Sequence, residues 1–84
     1  MKQVTMFTTE PCAYCRSAKA LLAKRGIAYE EVNLSRDPDG RAELARRTGL
    51  MTFPQIMIGG ETLGGFRELQ QAESAGRLDE LVAA

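Results

Sequence analysis

Cys12 and Cys15 are the only cysteines in the chain, separated by Ala13 and Tyr14. Chemistry at such a pair depends on how readily one sulfur becomes a thiolate. A free thiol titrates near ~8.5, but in Cys-X-X-Cys motifs at helix starts the value falls to roughly 3.5–7.5. The flanking residues predict such a start. Lys2 to Phe7 reads as a strand, Glu10-Pro11 breaks it, and after Tyr14 the period turns helical, with Ala18, Leu21 and Leu22 on one stripe. Cys12 then falls at or just before the first helical position, where amides near Tyr14 and Cys15 lack internal partners and carry partial positive charge. On this reading Cys12 is the nucleophile, and Cys15, one turn in, is the thiol that resolves it through a reversible disulfide.

Two plainer readings stand beside this one. A Cys-X-X-Cys pair is half of a zinc site, and zinc usually takes four ligands. With no third cysteine and no histidine, a closed site within the chain would need carboxylates. The other alternative is a pair of inert structural cysteines. The strand–motif–helix context favours redox chemistry over both.

The elements that must position the pair follow from pattern. Lys24-Arg25-Gly26 ends the first helix. Tyr29 to Leu34 reads as an edge strand, with Val32 and Leu34 on one face and Glu31 and Asn33 on the other, completing a right-handed βαβ unit. Asp37 as N-cap and Pro38 as first residue open a helix that runs to about Thr48 and stops at Gly49. Gln55 to Ile58 is apolar on both faces, so it is expected to be central. Gly59-Gly60 predicts a tight hairpin into Glu61-Thr62-Leu63. Gly64-Gly65 opens a third helix with Phe66, Leu69 and Ala72 buried and Gly76 at its end, and Arg77 to Val82 adds a last turn pinned by Leu78 and Leu81.

Residues 1–84 are long enough for one small domain, burying roughly two-thirds of the unfolded surface. Eleven acidic and eleven basic residues balance, which argues against nucleic acid or an anionic membrane as main partner. No apolar run approaches ~20 residues, no secretory leader is expected, and two cysteines at redox spacing point to a reducing, cytoplasmic setting.

The chain resembles a glutaredoxin, a minimal thioredoxin-fold protein, over nearly its whole length. The likeness rests on Cys12-Ala13-Tyr14-Cys15 after the first strand, Thr52-Phe53-Pro54-Gln55 before the third, and Gly64-Gly65-Phe66 before the third helix. It implies an α/β, thioredoxin-like fold, βαβαββα, with a four-stranded mixed sheet flanked by helices. It also implies a thiol–disulfide oxidoreductase with Cys12 and Cys15 catalytic and glutathione as reductant and co-substrate. The resemblance makes Pro54 cis and gives glutathione contacts to Thr9, Tyr14, Thr52, Phe53, Pro54, Gly65, Phe66 and Arg67. The Gly-Gly helix start would cradle the γ-glutamyl carboxylate.

Four positions depart from the family pattern. Ala13 stands where many relatives have proline, Thr9 where many have lysine, Leu50 where an arginine is frequent, and Arg67 where an aspartate is frequent. Arg67 is a solvated arginine paired with Glu68 or Gln71, or a partner for a carboxylate of glutathione or of a protein. Disulfide-containing proteins are the expected partners of a monomer. One alternative is a glutaredoxin-like electron donor, for example to ribonucleotide reductase, reduced by thioredoxin reductase or another small thiol. Another is a dimer that holds a [2Fe-2S] cluster on Cys12 with glutathione, which Ala13 permits.

Overall fold

A computed structural model describes residues 1–83. The elements are β1 (Val4–Thr8), α1 (Ala13–Lys24), β2 (Glu30–Asn33), α2 (Pro38–Thr48), β3 (Gln55–Ile58), β4 (Glu61–Gly64), α3 (Phe66–Ser74) and α4 (Leu78–Val82). The order is therefore βαβαββαα, one helix more than the sequence pattern gave. Gly76, at φ 69°, turns the chain after α3, so Leu78–Val82 forms a helix of its own. Its anchors are Leu78 and Val82, while Leu81 is only partly buried. β1 starts two residues later than the expected Lys2 and includes Thr8, and β2 is shorter than Tyr29–Leu34.

The sheet order is β2-β1-β3-β4, with β1 and β2 parallel and the other pairs antiparallel. β2 lies at an edge and β3 is central, as its all-apolar residues 56–58 require. Alternation along the strands sorts the core into two layers. Val4, Met6, Ile56 and Ile58 face α1, α3 and α4, packing against Ala18, Leu22, Leu69, Leu78 and Val82. Met57 and Phe7 face the other way, toward Leu34 and Leu44 of the α2 side. Asp37 caps α2 by accepting from Gly40 N at 2.8 Å, and Gly49 closes it in the left-handed region.

Strand direction brings three distant segments to one end of the sheet. Phe7 pairs with Gln55, so the end of β1 lies beside the start of β3. Ile56 pairs with Gly64, so the end of β4 lies there too. The Cys-X-X-Cys turn, the Phe53-Pro54 turn and the start of α3 therefore meet, although Cys12 and Phe53 are 41 positions apart in the chain.

Candidate functional site

Cys12 is the N-cap residue of α1, and its sulfur accepts a hydrogen bond from Cys15 N at 3.1 Å. This is the expected helix-start geometry, with the Cys15 amide as the donor. No acidic residue stands in the first turn of α1, so nothing there offsets the positive end of the dipole. The two sulfurs are joined as a disulfide across a Cα–Cα distance of 5.2 Å, within the ordinary range for such bridges. Their surroundings differ. Cys12 is half-buried, whereas Cys15 is only 2 % exposed. Cys12 Sγ also lies 3.7 Å from the Phe53 carbonyl oxygen.

The Phe53-Pro54 peptide is cis, as the family likeness implies, and Glu10-Pro11 is cis as well, which no sequence signal announced. Beside the Phe53-Pro54 turn runs a groove of about 570 Å³. One wall is aromatic: Tyr14 and Phe66 stack with ring centroids 6.0 Å apart, and Phe53 stands near them. Leu50, Thr52, Pro54, Gly65, Arg67, Glu68 and Gln70 complete the lining of the groove. Seven of the eight residues expected to contact glutathione, all but Thr9, share this groove. Thr9 lines a separate cleft of about 540 Å³ together with Cys12 and Cys15 themselves, Glu10, Pro11, Arg16 and Lys19.

The start of α3 departs from expectation in a second way. The Gly65 amide, expected to be free for a ligand carboxylate, donates to Glu68 Oε1 at 2.8 Å. Glu68 folds back over Gly64 so closely that a Cβ on Gly64 would lie 2.6 Å from Glu68 Cγ. The expected pairing of Arg67 with Glu68 is absent: among the described residues Arg67 makes no ion pair and is exposed. Gly65 itself has an ordinary extended φ; a Cβ there would meet the Pro54 carbonyl at 3.3 Å, so glycine lets α3 close on the cis-proline turn.

Two residues carry more of the site than their types suggested. Gln55 is 1 % exposed, and its side-chain amide donates to the carbonyls of Leu50 and Thr52, each at 3.0 Å. Its Oε1 lies 2.9 Å from the Thr48 hydroxyl, which in turn accepts from Leu50 N. One side chain thus pins the loop that carries Leu50, Thr52 and Phe53. The signal was a polar residue opening the otherwise apolar run 55–58. Glu31 is the second. Lys19 bonds it at 2.7 Å and the buried Thr8 hydroxyl donates to it at 2.8 Å. The bond from Lys19 lowers the Glu31 carboxyl below its usual value, with help from Thr8 and against a smaller effect of burial. Among the described residues no group of three or more His, Cys, Asp or Glu could hold a metal ion.

Comparison with known proteins adds three relatives and one family. The glutaredoxin family model matches residues 4–63. A glutaredoxin of Pseudomonas aeruginosa is 44 % identical over 84 residues, covering all of both chains. The solution structure of glutaredoxin from Brucella melitensis superimposes with a TM-score of 0.87 at 44 % identity, over 98 % of this chain and 89 % of that one. The crystal structure of a buckwheat glutaredoxin–glutathione complex does so with a TM-score of 0.88 at 28 % identity, over 96 % and 76 %.

Proposed function

The chain belongs to the glutaredoxin family of thiol–disulfide oxidoreductases, and from that premise we propose that it reduces glutathione mixed disulfides and protein disulfides with glutathione as electron source. The observation that carries the division of roles is the unequal exposure of two linked sulfurs. Cys12 is reachable and sits on a helix-start amide, and Cys15 is buried behind it. A bulky disulfide can meet only the first.

In the proposed cycle the Cys12 thiolate attacks one sulfur of a substrate disulfide. A bond forms from Cys12 Sγ to that sulfur, the substrate S–S bond breaks, and the departing thiolate takes a proton from water. Cys15 then attacks Cys12 Sγ, which frees the second substrate thiol and gives the Cys12–Cys15 disulfide seen here. Two electrons have passed from the dithiol to the substrate. Two glutathione thiols return them and leave as glutathione disulfide. Where the first product is already a glutathionyl mixed disulfide, one glutathione can resolve it without Cys15.

Glutathione as the thiol is supported by the buckwheat relative, crystallised as a glutathione complex, and by the groove beside Cys12. Tyr14, Thr52, Phe53, Pro54, Gly65, Phe66 and Arg67 are the residues proposed to contact it. The Phe53 backbone before the cis proline would pair with the extended tripeptide in the manner of an added strand. Cys12→Ser abolishes every exchange reaction on this reading. Cys15→Ser spares turnover of glutathione mixed disulfides and impairs reduction of protein disulfides. Assays of both variants on both substrates test it, and equal loss in both assays from both variants refutes it.

A second reading has one observation in its favour. Ala13 is exposed beside Cys12, with no proline ring over the sulfur. Cys12 would be the single ligand each chain offers to a shared [2Fe-2S] cluster, the others coming from glutathione thiols, and the cluster would supply a binding role and not the exchange chemistry.

A further inference from the structure

We propose that the ion pair Lys19–Glu31 governs how readily Cys15 gives up its proton in the resolving step, Lys19 promoting the thiolate and Glu31 holding that promotion in check. The proposal rests on Cys15 as the resolving thiol, and it gives a task to charged residues that the exchange cycle leaves without one.

The groove is lined by neither cysteine, whereas the second cleft is lined by both and shares no residue with the groove. Cys15 is the buried member of the pair, 2 % exposed, and burial disfavours a thiolate. While Cys12 is bonded to a substrate, Cys15 must still lose its proton before it can attack. The cleft is the opening that its sulfur borders.

Lys19 lines the same cleft and lies four residues after Cys15 in α1, the spacing that puts two side chains on one helix face. Its ammonium is held in place. Nζ bonds Glu31 Oε2 at 2.7 Å, and the same oxygen accepts from the Thr8 hydroxyl at 2.8 Å. Thr8 is 1 % exposed, and Glu31 stands opposite Met6 in the parallel register, on the sheet face that α1 covers. A buried hydroxyl thus fixes the carboxylate, and the carboxylate fixes the ammonium. The pair is partly exposed, so as a brace it adds little stability; its placed charge, one turn from a buried sulfur, matters more.

The other charged groups around Cys15 do not take this role. Glu10 and Arg16 line the cleft with opposite charges, are exposed, and make no ion pair among the described residues. β1 carries no charged residue. α3 packs Leu69 in the shared core, its Arg67 and Glu68 line the groove, and its Glu73 pairs with Arg25 beyond the other end of α1. Lys19 is therefore the anchored cation of the cleft. A cation beside a thiol favours the thiolate, and Glu31 offsets part of that field. With Cys12 bonded to a substrate sulfur, the Cys15 proton passes to water in the cleft and the thiolate attacks Cys12 Sγ. The Cys12–Cys15 bond forms, the bond to the substrate breaks, and the substrate sulfur leaves with the electron pair.

The test is stopped-flow reaction of the fully reduced protein with one equivalent of dithiobis-nitrobenzoate. Attack by Cys12 releases one coloured thiolate. Closure by Cys15 releases the second, in a concentration-independent phase that Cys15→Ser lacks. That leaving group is ionised throughout the neutral range, so the pH dependence of the second phase reports Cys15. Lys19→Met is expected to move its inflection up by about half a pH unit or more and to slow closure at pH 7 about threefold or more. Lys19→Arg, which keeps the charge, is expected to stay near the parent, and Glu31→Gln to move the inflection down, both displacements shrinking at high salt. A pair that only braced the fold would give the same direction of change whichever partner was replaced. An inflection that Lys19→Met leaves in place overturns the proposal, as does one that Glu31→Gln leaves in place or moves upward. Release of a single equivalent by the parent protein overturns the resolving role of Cys15 as well.

Discussion

Replacing Gln55 with methionine tests whether one buried amide holds the groove together. Methionine is similar in length and volume, so the substitution keeps the packing and removes the hydrogen bonds. Two donor bonds are lost, to the carbonyls of Leu50 and Thr52. At about 1 kcal/mol net for each, the folded state loses ~2 kcal/mol. For a chain of this size that corresponds to a fall in Tm of about 8–16 °C. The loop carrying Leu50, Thr52 and Phe53 loses its tether, so KM for a glutathione mixed disulfide should rise severalfold. The Cys15 N to Cys12 Sγ contact lies on another element, so the inflection of Cys12 alkylation against pH should stay below ~8.5. Urea or thermal unfolding gives the first quantity, steady-state kinetics the second and alkylation the third. A variant within ~0.5 kcal/mol of the parent and with unchanged KM would refute the tethering role.

The remaining predictions draw on other parts of the site. The Cys12 amide contact and the acid-free first turn of α1 place the inflection of alkylation rate against pH clearly below ~8.5, and an inflection at or above that value contradicts the helix-start argument. Because Lys19 and Thr8 lower the Glu31 carboxyl in the folded protein, that group stabilises the fold above the unfolded carboxylate range and loses the contribution as pH falls through its lowered value. Glu31→Gln should therefore destabilise at pH 7 by no more than about 1 kcal/mol, the pair being partly exposed. Chemical unfolding across pH should show the gap closing on acidification, and a gap that widens would reverse the sign. Anaerobic reconstitution with iron, sulfide and glutathione should give a coloured dimer that Ala13→Pro diminishes, and only colourless monomer on size exclusion would remove the cluster reading.

What could be read from the sequence, and what could not, divides along a physical line. Features that depend on one residue's own backbone preference or on short periodicity were legible: Asp37-Pro38 as a helix entry, Gly59-Gly60 as the hairpin turn, residues 56–58 as a central strand, and Cys12 at a helix start. Features set by which way a side chain turns in three dimensions were not. Thr9 lines a cleft with both cysteines, and not the groove that the other seven residues share. Gln55 was visible as part of a motif, but its role needs the loop at 48–52 to pass beneath it. The start of α3 is the most instructive case. Reading Arg67 alone gave Glu68 a place only as a partner of that arginine. The capping geometry changes that, because the residue at the third helical position reaches back to the N-cap amide. Glu68 thereby lines the groove with its Oε1 held by the Gly65 amide, and Arg67 stands exposed beside it. The position of that carboxylate is fixed by a hydrogen bond of α3 to its own N-cap amide.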